Sequence, residues 1–127
     1  LDPQIEGYVR SYISFRQATP YYIIQNVDNI EQRVYHARLG YAGTLDREVL
    51  VNQCHSIVDY KSGQPEPWHG VQLAGYADAK EGRHKYKRFG LYLRGDGGLP
   101  KLEPYKNGKD FQRFYSALDI YHFKNGN

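Results

Sequence analysis

The run from His84 to Arg94 constrains the fold most, because it alternates with period two over eleven residues, as a β-strand does. One side carries Lys85, Lys87, Phe89, Leu91 and Leu93, and the other carries His84, Tyr86, Arg88, Gly90, Tyr92 and Arg94. The first side reads as core over its second half, and the second side is expected to face water or a ligand. Phosphates attract Lys and Arg through counterion release, while bases and sugars stack on Tyr. His84, Tyr86, Arg88, Tyr92 and Arg94 are therefore the expected nucleic-acid or polyanion platform. The competing reading is an edge strand guarded from aggregation by its charges.

The rest of the pattern points to a mainly β domain. Tyrosine supplies 13 of 127 residues and favours half-buried sheet faces and binding surfaces. Tyr8 to Phe15 alternates and reads as a strand over 8–16, although Asp2 and Pro3 could open a helix there. Tyr21 to Gln25 and Gln32 to Leu39, around Asp28-Asn29, read as a hairpin. Leu45 to Val58 fits either a helix capped by Thr44 or a strand. Lys61 to Pro67 is the clearest loop, and Val71 to Asp78 reads as a strand. Phe111, Phe114, Tyr115, Leu118, Tyr121 and His122 share a helical face with Asp110 as cap, with a strand over 117–123 as the rival. The expected fold is one domain over 1–127, an antiparallel β-sandwich or half-barrel with one or two short helices. The alternative is a ribonuclease-like α+β fold.

Composition limits the function classes. Hydrophobic residues at 40% and charged residues at 24% suit a folded globular domain, and no apolar run approaches the roughly 20 residues that span a bilayer. Membrane partners are not expected. A single cysteine, Cys54, forbids an internal disulfide, and a chain without methionine that opens at Leu1 reads as one from which preceding residues were removed. Charge is uneven: residues 1–79 hold 6 Lys/Arg against 9 Asp/Glu, and residues 80–127 hold 11 against 5. The second part would suit an acidic partner.

Motifs for catalysis are few. Five histidines, His36, His55, His69, His84 and His122, could supply an acid–base pair for RNA cleavage, but no spacing selects two. Cys54-His55 with His69 lacks the paired spacing of a zinc site. There is no phosphate-binding Gly-Lys-Ser/Thr loop, nucleophile elbow or dinucleotide fingerprint. No catalytic residue, metal or cofactor is expected. Leu73 to Ala79 resembles the start of the homing-endonuclease helix, from which Lys80-Glu81-Gly82 departs.

Glu6-Gly7-Tyr8 with Tyr12, Asp28-Asn29, Glu31-Gln32, the break from Gly40 to Gly43, and Cys54 followed by Ser62-Gly63 run in an order that resembles the secreted avirulence effectors of rust fungi, flax-rust type. The resemblance covers the first half and fades beyond Trp68-His69-Gly70. It implies a twisted β-sandwich secreted by a plant pathogen, delivered into host cells and bound there by an immune receptor. The expected function is accordingly a non-enzymatic recognition protein whose basic, Tyr-rich surface meets a host protein, nucleic acid or another polyanion. The alternatives are a small metal-independent ribonuclease, active or dead, and a carbohydrate-binding module using Trp68 and the tyrosines as stacking platforms.

Overall fold

The computed structural model describes residues 3–18, 30–36, 41–80 and 86–126, giving the backbone alone for Gln4, 30–36 and 41–47. It is an α+β structure in which helices cover both faces of one mixed sheet. Helix α1 (Pro3–Ala18) is followed by strands β1 (Ile30–His36), β2 (Tyr41–Val51) and β3 (Cys54–Lys61). Helix α2 (Pro67–Asp78), strands β4 (Lys87–Tyr92) and β5 (Lys101–Pro104), and helix α3 (Lys109–Lys124) complete the order. The strands lie side by side in chain order, all antiparallel except the parallel pair β3–β4. Parallel neighbours need a long crossover, and α2 provides it.

Several expectations are corrected by this architecture. The sandwich or half-barrel is replaced by a single sheet between helices. The strand expected over 8–16 is part of α1, which Pro3 opens at a position where a missing N–H costs nothing. Its Phe15 and Tyr12 pack on Val49, Val51, Val58, Tyr60 and Leu91, so one face of the sheet is buried there. The strand expected over Val71 to Asp78 is α2, again opened by proline, whose Leu73 and Ala77 bury Ile57 on the other face. Val71 to Asp78 misleads because its one glycine, which weakens a helix, is there for packing: a side chain at Gly75 would collide with the Phe114 ring of α3.

Leu45 to Val58 resolves into two strands joined at Asn52-Gln53, both with positive φ, 51° and 66°. That is the backbone of a two-residue hairpin turn matched to the twist of its strands. Helix α3 forms as the aromatic spacing predicts, but Gly108 caps it and Asp110 lies inside, buried. The expected strand at Tyr21 to Gln25 lies outside the described residues, while Gln32 to His36 falls in β1, which pairs with β2. Among the described residues no helix is long and apolar enough to cross a membrane.

Candidate functional site

Strand β3 buries its middle, from Ser56 to Asp59. Ile57 and Val58 are buried, and then Asp59 and Lys61 project from one face with Tyr60 on the opposite face. Asp59 is only 7% exposed, and its Oδ2 lies 2.8 Å from the Lys61 ammonium. Lys61 also donates to Gln72 Oε1 of α2 at 2.9 Å, and Gln72 Nε2 donates to the Tyr76 hydroxyl at 3.2 Å. The ammonium sits 5.5 Å from the Trp68 ring centroid as well. Burying an ion pair is at best a weak source of stability, since desolvation offsets most of the attraction. Such a pair at the carboxyl end of a strand in a parallel pair stands where open α/β sheets usually bind ligands.

The β2–β3 ladder ends beside this pair. Its last paired residues are Arg47 and Val58, and Asp46 and Asp59 are the next residues along the two strands. Among residues with described side chains, no three His, Cys, Asp or Glu groups form a ready metal cage. Magnesium does not require one, because it is commonly held by one or two carboxylates, with water and substrate phosphate filling its shell.

Beside this cluster, His69 is buried at the start of α2. Its Nδ1 is 2.6 Å from the Tyr92 hydroxyl, which also hydrogen-bonds to Tyr105. Burial, with the nearby Lys61 charge, holds the imidazole below its usual pKa against a smaller opposing effect of Glu66. Burial, followed by the Tyr105 hydrogen bond, raises the Tyr92 phenol far above its ordinary value. These groups form a neutral, locked network.

Of the five residues expected to form a platform, the four that are described do not share an open face. His84 lies outside the described residues. Tyr86 is half-buried and donates to Glu48 Oε1 at 2.8 Å; burial and that carboxylate push its pKa up to about 12. Arg88, 5% exposed, pairs with Asp110 at 3.1 Å and donates to the carbonyls of Gly70 and Asn107. Tyr92, 3% exposed, belongs to the locked network. Only Arg94 is open, and it is paired with Asp96 at 2.6 Å. The face read as solvent-exposed is covered by α2 and α3, so Arg88 and Tyr92 cannot meet a polyanion.

Sequence reasoning missed Asp59, Lys61, Gln72 and Asp46. The available signal was a pair of opposite charges two residues apart at the end of the run Ile57-Val58-Asp59-Tyr60-Lys61, where a buried strand carries residues rarely buried unless paired. For the ribonuclease alternative, the histidines with described side chains stand on three different elements: His55 in β3, His69 locked in α2 and His122 in the last turn of α3. No protein-family model matches the chain, and no curated protein matches it. The resemblance to rust effectors therefore rests on the residues quoted for it.

Proposed function

We propose that this chain carries a divalent-metal-dependent phosphodiester hydrolase site for nucleic acid, built from Asp46, Asp59 and Lys61. The observation that supports it is the Asp59–Lys61 pair, fixed by Gln72 at the end of β3, with Asp46 the next residue of β2 beyond the paired Arg47 and Val58. Two carboxylates would hold a Mg²⁺ or Mn²⁺ ion, which when bound supplies Lewis-acid polarisation of the phosphate and an activated water. Lys61 would donate to a phosphate oxygen on which charge builds. Gln72 would keep the ammonium aimed as substrate displaces part of its contact with Asp59. In the reaction the water oxygen bonds to phosphorus, the phosphorus–oxygen bond to the leaving nucleotide breaks, and a proton ends on the departing oxygen.

The test is incubation of labelled DNA and RNA, single-stranded and duplex, with the purified chain in Mg²⁺, Mn²⁺ or chelator. Cleavage is expected with metal only. Loss of one charged transition-state donor costs about 10²–10³-fold in kcat, so Lys61→Met should fall by that much, and Asp59→Asn and Asp46→Asn by at least as much. Circular dichroism should show each variant folded. Cleavage that survives chelator, or an Asp59→Asn variant as active as the parent, overturns the proposal, as does the absence of cleavage on every substrate.

A further inference from the structure

Next to Lys61 an exposed ring overhangs an open groove. Trp68 sits in the first turn of α2, directly after Pro67, and is 58% exposed although it is the largest side chain in the sequence. Its edge packs on His69, ring centroids 4.2 Å apart at 72°. His69 in turn stacks on Tyr92 at 5.6 Å and hydrogen-bonds to it. Tyr105, bonded to Tyr92, donates to the Glu66 carbonyl at 3.2 Å, tying the loop before Trp68 to β5's end. A ring this exposed is normally mobile, but here it rests on His69, which is buried and hydrogen-bonded to the buried Tyr92.

The groove of about 620 Å³ beneath it is lined by Pro67, Trp68, Val71, Pro104, Lys106 and Arg113, among others. Asp110 also reaches it, but its charge is matched by Arg88 at 3.1 Å. Lys106 and Arg113 leave the groove net cationic, and the Lys61 ammonium, paired with Asp59, stands 5.5 Å from the Trp68 ring centroid. Ring and cations together are what a base and its flanking phosphates require. A neutral sugar would use the ring and leave the cations unmatched. In a duplex both faces of every base are already stacked, so no base face is free for Trp68 without extrusion of a nucleotide.

We infer that Trp68 and this groove bind an unpaired base of a single-stranded nucleic acid, with its phosphate at Lys61 and the next phosphates toward Lys106 and Arg113. The inference rests on the phosphodiester reading and specifies its substrate as single-stranded. Trp68 is a positioning residue in it, holding the strand while Asp59 and Lys61 act.

The sequence contains one tryptophan, so its fluorescence reports on this ring alone. The experiment titrates the full chain, in chelator, with oligothymidylate, oligouridylate, a duplex of matched length and a cello-oligosaccharide. Both single strands are expected to quench the emission with strong salt dependence, and the duplex and the sugar to leave it unchanged. Base–aromatic stacking of about 1–3 kcal/mol corresponds to weaker binding by about 5- to 140-fold in Trp68→Ala, read from the anisotropy of a labelled strand. Trp68→Phe should retain most of the affinity, and in metal the Trp68→Ala deficit should fall on KM rather than kcat. Asp59→Asn should still be quenched while losing cleavage. A quench without any metal-dependent cleavage leaves the base site standing and removes the hydrolase reading. No quench by either strand, equal quench by duplex or sugar, or Trp68→Ala binding within twofold of the parent overturns the inference.

Discussion

Arg88 offers the sharpest contrast between an exposed binding residue and a buried strut. Its guanidinium joins three elements: it pairs with Asp110 of α3 at 3.1 Å, donates to the Gly70 carbonyl of α2 at 3.0 Å, and donates to the Asn107 carbonyl at 3.1 Å. It also lies 4.9 Å from the Phe111 ring centroid. Arg88→Ala removes all of these and leaves the Asp110 carboxylate, 6% exposed, with only Arg113 at 3.7 Å. Breaking one side of a buried pair costs about 3–5 kcal/mol. For a domain of this size that corresponds to a fall in Tm of about 10–25 °C. Thermal and urea unfolding followed by circular dichroism measure it. The double variant Arg88→Met with Asp110→Leu should recover most of the loss, because apolar replacement of both partners avoids the stranded charge. Arg94→Ala, at the exposed pair with Asp96, should leave Tm nearly unchanged. An Arg88→Ala variant within about 2 °C of the parent, under half of what 1 kcal/mol produces in small domains, would refute the reasoning.

Two further perturbations test other parts of the fold. A side chain on Gly7 of α1 would enter the space of the Gly95 backbone carbonyl, which cannot rotate away, so Gly7→Ala should cost at least the 1–3 kcal/mol typical of overpacking, measured as a urea midpoint shift. The Tyr86 phenol, with its pKa pushed up to about 12 by burial and Glu48, keeps its proton in the native state while the unfolded chain loses it near 10. The native state then binds more protons between those values, so the contribution is full below pH 10 and is lost as pH rises toward 12. Tyr86→Phe should flatten that alkaline limb of the unfolding curve.

What the sequence discloses, and what it conceals, follows from which faces are covered. Helix α3 is legible because Phe111, Phe114 and Tyr115 meet α2 on one side only, leaving a clean helical spacing in its first half. Strand β4 is legible as a strand and misleading as a surface: Tyr86, Arg88 and Tyr92 look like a polar exterior, yet α2 and α3 lie over them and each polar tip finds a buried partner. Helices α1 and α2 are hard to see because Gly7, Gly70 and Gly75 weaken the helical signal, and each permits a close approach that only the folded chain shows. The β2–β3 hairpin is concealed by Asn52-Gln53, which adopts the positive-φ turn without the glycine that usually announces it.

The site follows the same logic. Lys61 reads as the start of a polar loop and Asp59 as the fading of a strand, because sequence alone does not say that α2 returns Gln72 to that strand end. Nor does it say which residue of β2 stands across from Asp59, since the register is set by the turn at Asn52-Gln53. A shift of one residue in that register would turn every side chain of β2 to the opposite face, taking Val49 and Val51 out of the core against Phe15. Inserting a glycine between Asn52 and Gln53 should therefore lower Tm as well as abolish metal-dependent cleavage, and an insertion variant that keeps both the parent Tm and the parent activity would show that the turn does not set the register.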